Sequence, residues 1–213
     1  MPVAREAVEL LVQAARAWYF EGDQHGLRDR EWMALRFLGR ANRFSRTPSA
    51  LAGFIGGARA TASQIVKTLE TKSYLVRKPS HEDKRSVLLC LTSQGEKVLA
   101  RNDPINHVLN AVAALDAEEC TRLRNSLRQI LNHLDATHHR LNASVCRDCV
   151  FLAERAPTTG KGRTAAEFIC RLYRTPISRD EIELVCASFE RASDRPKLDD
   201  QPQSSTTSVG KEQ

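Results

Sequence analysis

The stretch Thr47-Pro48-Ser49-Ala50-Leu51-Ala52-Gly53-Phe54-Ile55-Gly56-Gly57-Ala58-Arg59-Ala60-Thr61-Ala62-Ser63-Gln64-Ile65-Val66-Lys67-Thr68-Leu69-Glu70 decides the fold. Thr47 offers a capping hydroxyl, and Pro48 suits the first helical position, where its missing N–H costs nothing. Leu51, Phe54 and Ile55 give this short helix a buried side. Gly56-Gly57 stops it, because glycine enters the left-handed cap conformation cheaply. A second helix is expected from near Arg59 to about Ser73. Its apolar side is Ala62, Ile65, Val66 and Leu69, and its polar side is Arg59, Thr61, Ser63, Gln64 and Lys67. Two short helices joined by a tight glycine turn form a helix-turn-helix, whose second helix can enter a DNA major groove. Hydroxyls, an amide and cations are the groups that pair with phosphates and base edges. Taken alone, the same pattern also fits an ordinary helical hairpin with a polar outer face.

The residues after Ser73 narrow the choice. Tyr74 to Lys78 and Val87 to Leu91 read as strands, rich in β-branched and aliphatic residues. Between them lies Pro79-Ser80-His81-Glu82-Asp83-Lys84-Arg85-Ser86, too polar and charged to pack. A helix-turn-helix with a hairpin of cationic tip directly behind it is a winged helix. Arg85 at such a tip can reach a minor groove, drawn by its negative potential. Asp83, two residues earlier, can orient the guanidinium through a charge-assisted bond, although an exposed ion pair of little consequence reads the same way.

The segments Thr47 to Ala52, Arg59 to Glu70, Asp83-Lys84-Arg85-Ser86 and Leu91-Thr92-Ser93-Gln94-Gly95 together resemble the MarR regulators over roughly residues 5–142. The resemblance implies a homodimer with interlocked terminal helices, bound to a pseudo-palindromic double-stranded DNA operator and usually acting as a repressor. Gly56-Gly57-Ala58 is looser than the usual turn of that family.

The flanks read as helices. Val3, Ala7, Leu10, Leu11, Ala14 and Trp18 recur at helical spacing. Asp29 can cap a helix running to about Asn42, with Trp32, Leu35 and Leu38 on its apolar side. After the wing, Thr92 caps a helix that Asn102-Asp103-Pro104 should break, and Asp116 with Glu119 makes a capping box for the next. That last helix carries Leu123, Leu127, Ile130, Leu131, Leu134, His138 and Leu141, an apolar stripe with no sequence-local partner. Core packing would explain it; in the family it resembles, such a helix builds the dimer interface with the first one.

Charge agrees with a nucleic-acid partner. The net charge of +6 concentrates in residues 28–101, where fifteen Lys and Arg face six Asp and Glu. Hydrophobic residues make up 41% of the 213 residues and charged ones 27%, enough for a soluble globular core. Charges at Arg5, Glu6, Glu9 and Arg16 interrupt any secretory signal, and no run reaches the ~20 apolar residues of a membrane helix. A cytoplasmic protein with no membrane association is expected. There, clustered cysteines point to metal or redox roles rather than disulfides.

Residues 144–191 fall outside this pattern. Cys146, Cys149, Cys170 and Cys186 form a C-x2-C-x20-C-x15-C arrangement holding four of the six cysteines. Four thiolates repel unless a cation neutralises them, and the polar segment needs a staple. Zinc and an iron–sulfur cluster both accept four thiolates, and no metal at all is the third possibility. Phe151, Leu172-Tyr173 and Phe189 beside the cysteines resemble the surroundings in high-potential iron–sulfur proteins, which implies a cluster, [4Fe–4S] for preference. The Ala153 to Ala166 region reads as a loop. Cys90 and Cys120 read as passive small residues.

The expectation is therefore a mainly α chain in three parts. Residues 1–143 form a winged helix-turn-helix with long N- and C-terminal dimerisation helices, residues 144–191 a small cysteine-rich metal-binding extension, and residues 192–213 a disordered tail. The function expected is that of a dimeric DNA-binding transcription regulator, not an enzyme, modulated by an iron–sulfur centre sensing redox state, oxygen, nitric oxide or iron. Alternatives are the same regulator with structural zinc, a zinc adaptor bound to another protein, and a thiol oxidoreductase using Cys146 and Cys149. No phosphate loop, nucleophile elbow or zinc-hydrolase motif is present.

Overall fold

A computed structural model describes residues 2–19, 26–80, 86–138, 143–154 and 167–191. The wing tip with Asp83, Lys84 and Arg85 lies outside the described residues, as does the expected tail from 192 onward.

The core is built by α2 (Asp29–Arg40), α3 (Pro48–Phe54), α4 (Arg59–Thr71), the hairpin of β1 (Leu75–Pro79) and β2 (Val87–Leu91), and α5 (Ser93–Asn102). Trp32, Leu35 and Leu38 from α2 meet Leu51, Val66, Leu69, Leu75 and Leu89, all buried. Phe37 stacks on Phe54 at 4.5 Å between ring centroids. Helix α2 begins at the expected place by another device. The cap position is Arg28, whose N–H donates to Glu31 Oε2 at 2.6 Å. A carboxylate three residues on satisfies an otherwise orphaned donor, so Asp29 is not needed as the cap.

Thr47 does cap α3: its Oγ1 accepts from Ala50 N–H at 3.2 Å. Gly56 takes φ +63°, the left-handed conformation that ends the helix. Helix α4 stops at Thr71, two residues short of the expected end. Ser73 at φ 59° turns the chain out of it, and Tyr74 N–H donates back to the Leu69 carbonyl. The first wing strand consequently starts at Leu75, and the hairpin runs in antiparallel register from Leu75–Leu91 to Pro79–Val87. Thr92 fastens wing to helix, donating to the Ser73 carbonyl at 2.6 Å and accepting from Gly95 N–H at 3.0 Å. A Cβ on Gly95 would collide with the Tyr74 carbonyl, so the Leu91 to Gly95 junction demands glycine there.

The break at Asn102-Asp103-Pro104 is real, and a buried ion pair holds it. Asp103 accepts from Arg36 Nε at 2.8 and 2.9 Å and from its terminal nitrogen at 2.6 Å. Helices α1 (Pro2–Tyr19), α6 (Asn106–Ala113) and α7 (Ala117–His138) lie outside the core. Asp116 and Glu119 exchange side-chain to backbone bonds at the start of α7, the expected capping box. Large apolar residues of α1 and α7 remain exposed, among them Val3, Leu10, Ile130, Leu131 and Leu134. No described helix is long and apolar enough to cross a membrane.

The C-terminal segment is a small β structure. Strand β3 (Ser144–Val145) pairs with β7 (Val185–Cys186), while β4 (Leu152–Glu154), β5 (Phe168–Cys170) and β6 (Thr175–Ile177) form an antiparallel sheet in that order. Ala153 and Glu154, expected in a loop, are paired to Ile169 and Phe168. The mainly α winged helix stands; the metal-binding character expected of the extension does not. Among the described residues, no group of three or more His, Cys, Asp or Glu side chains is placed to hold a metal ion.

Candidate nucleic-acid interface and the cysteine segment

The helical repeat of α4 sorts its side chains. Ala62, Ile65, Val66 and Leu69 are buried, as their spacing requires. Arg59, Ser63 and Lys67 succeed one another at i, i+4 along the exposed side, with Gln64 beside them and also exposed. Thr61 is half-buried, so it stands off this line. No side chain of α4 caps its N-terminus, whose Ala58 cap leaves the first turn open toward solvent.

The candidates face two hollows. Arg59 and Ser63 line a cleft with Pro48 and Ser49 of α3 and with Arg77 and Val87 of the wing. Thr61 and Gln64 face the start of α2, beside Arg28, Asp29 and Arg30. The structure thus adds cations that the sequence pattern passed over. Arg77 sits on the exposed wing strand β1, steadied by Glu70 of α4 at 3.2 Å. The adjacent cations Arg77-Lys78 at the end of a strand-like run were the signal that could have found it. Arg28 and Arg30 flank the second hollow by virtue of lying at the start of α2.

The cysteine segment has another character. Cys146, Cys170 and Cys186 are buried and Cys149 is half-buried, all as free thiols. Burial pushes the Cys146 thiol up to about 12, with smaller contributions from Cys186, Cys149, Cys170 and Glu181. The four cysteines therefore share one neighbourhood. Among the described residues, however, no group of three or more His, Cys, Asp or Glu side chains is placed to hold a metal ion. An iron–sulfur cluster is therefore not supported, and neither is the zinc alternative or the redox-sensing role built on either. Cys146 and Cys149 sit on a short turn between β3 and β4, not in the βαβ setting of a thiol oxidoreductase, so that alternative is not supported. Cys146, Cys170 and Cys186 are buried as small apolar residues, and Ile177 and Phe189 of the same segment are buried too. Pairing of short strands and docking on the core supply the staple that the sequence suggested a metal would provide. Cys90 is half-buried in β2, and Cys120 Sγ donates to the Val112 carbonyl at 3.2 Å.

Comparison with known proteins agrees with the first half of the chain. Residues 25–86 match the model of the MarR family. The transcriptional repressor MprA of Escherichia coli (strain K12) is 30% identical over 112 residues, covering 52% of this chain. The match spans 64% of that relative's length. Among solved structures, Sco3205 of Streptomyces coelicolor, a MarR family regulator in complex with DNA, is 24% identical with a TM-score of 0.49, covering 62% of this chain and 85% of its own. A MepR–DNA complex of S. aureus is 19% identical with a TM-score of 0.46, covering 63% and 98%.

Proposed function

We propose that this chain is a DNA-binding transcription regulator of the MarR type, acting as a homodimer on a two-fold operator and carrying no catalytic site. The observation that carries the reading is the line Arg59, Ser63, Gln64 and Lys67 on the exposed side of α4, beside a cationic wing strand. Cations, hydroxyls and an amide on a helix of a winged helix suit phosphate and base-edge contacts in a major groove. Gln64 and Ser63 are assigned to bases; Arg59, Thr61 and Lys67 to phosphates or flanking bases. Asp83, Lys84 and Arg85 are assigned to the wing tip, with Arg85 in a minor groove.

The faces that the fold leaves uncovered point to the assembly. Helices α1 and α7 expose Val3, Val8, Leu10, Leu11, Ile130, Leu131 and Leu134. A second copy covers these faces and sets two reading helices about one DNA turn apart, so half-sites repeat at roughly 10 bp. Repression, by analogy with the E. coli relative, is the favoured direction of control.

Selection of bound duplexes from a random pool tests the assignment. Wild-type protein should enrich a two-fold sequence, and Gln64→Ala should change which sequence is enriched. Lys67→Ala should weaken all duplexes alike and make log affinity less steep in log salt by about 1. Identical enrichment by wild type and Gln64→Ala removes Gln64 from base reading. No enrichment by wild type removes the function.

A further inference from the structure

Residues 41–46 connect α2 to the helix-turn-helix, and the cysteine segment grips them along their length. Asn42 N–H donates to the Val185 carbonyl at 2.8 Å, and Ala187 N–H donates to Ser45 Oγ at 2.8 Å. Arg43 donates to the Pro176 carbonyl at 2.7 Å and pairs with Glu181 at 3.0 Å. The Phe44 and Tyr173 rings stack at 4.1 Å, only 5° from parallel. Asn42 and Ser45 are 3% and 1% exposed, so the centre of this contact is dry.

The same six residues hold the DNA-reading unit from their other side. Arg46 closes the loop by donating from Nε to the Ala41 carbonyl at 3.0 Å. Its own carbonyl accepts from Leu89 N–H, in the wing, at 2.7 Å. Thr47, the next residue, is the cap of α3. Helix α3 has seven residues, too few to hold a direction unaided, so its aim depends on what fixes its start. Asp148 of the cysteine segment also pairs with Arg128 of α7 at 2.8 Å. One small β structure therefore touches both the launch point of the helix-turn-helix and the long helix left open for a second copy.

We propose that residues 143–154 and 167–191 are a positioning brace for DNA reading: docked on residues 41–46 and on α7, they set the angle at which α3, α4 and the wing stand to the dimer helices. This rests on the DNA-binding reading above. Tyr173 and Arg43 are positioning residues and touch no DNA. Loss of the brace lowers affinity because the reading unit must then be ordered on the DNA.

The test uses the full chain and the duplex recovered from the random pool. Tyr173→Ala and Arg43→Ala should each weaken binding roughly 5- to 50-fold, the size of a typical coupling between sites, while circular dichroism stays that of wild type. Tyr173→Phe keeps the stacked ring and should keep the affinity. Adding Phe44→Ala to Tyr173→Ala should cost less than the two single losses together, since both remove one contact. Amide exchange over residues 48–54 should quicken in Tyr173→Ala with no DNA present. That arm separates failure of the brace from failure of DNA binding. Wild-type affinity and wild-type exchange in folded Tyr173→Ala and Arg43→Ala would overturn the brace.

Discussion

Helices α4 and α7 carry similar aliphatic stripes and dispose of them in opposite ways. Ile65, Val66 and Leu69 of α4 are at most 6% exposed, closed over by α2, α3 and the hairpin. Ile130, Leu131 and Leu134 of α7 stand 45–56% exposed. The two helices differ in what the chain can reach. Helix α4 is bracketed by short turns that fold neighbours onto it, whereas none of the described side chains of α7, a helix of 22 residues, belongs to the core cluster. An apolar stripe says which face must be covered. The covering element is decided by topology, and for α7 the described residues supply none that buries these three aliphatic side chains.

That contrast can be broken at either helix. The largest effect is expected in α4. Leu69→Ala should cost about 2–5 kcal/mol of unfolding free energy, because the site around it is closed and cannot collapse fully. Urea titration monitored by circular dichroism reads this, and a loss under ~1 kcal/mol would mean that the core is looser than its burial implies. In α7 the change should fall on assembly instead. Leu131→Asp should raise the dimer dissociation constant by ~30-fold or more, as expected for a residue central to an interface. Its winged helix should stay folded. Sedimentation showing an unaltered dimer would mean that α7 faces water in the assembly as well.

The smallest effect is expected in the cysteine segment. Chelator treatment should leave the unfolding midpoint unchanged if the thiols are packing residues, and a chelator-induced fall would reinstate a metal centre. Alkali should act where chelator does not. The folded Cys146 thiol titrates near 12, above the ordinary thiol value of 9.0. Its contribution to stability is therefore complete below about pH 9 and lost as pH rises toward 12. Cys146→Ala should flatten that loss, read as amide exchange in β3 and β7 across this window.

The winged helix was legible because its signals are local. Thr47-Pro48, Gly56, Thr92 and the 62, 65, 66, 69 spacing each fix a turn or a face within a few residues, and each fell where expected. Local signals missed by a residue or two where a neighbour substituted for them. Glu31 replaced Asp29 at the start of α2, and Ser73 ended α4 early. The cysteine segment was not legible, and the reason is physical. Four thiols in a polar stretch suggest metal when the stretch is weighed alone. In the fold, its order comes from Asn42, Phe44 and Ser45, which lie over a hundred residues away and announce nothing locally. Arg36 with Asp103 is a second such case, a buried pair 67 residues apart that no spacing rule could join.

The bond between Ala187 and Ser45 also has a consequence in time. It closes a span of 142 residues, so synthesis must proceed well past the wing before its second partner exists. At the usual ~5–20 residues per second, that interval lasts roughly 7–30 s. Helix formation and hairpin closure take microseconds. Every nascent copy thus passes through a period in which its helix-turn-helix has emerged while the Ser45 hydroxyl still bonds to water. Ribosome-bound chains stopped between residues 102 and 143 would hold that state indefinitely.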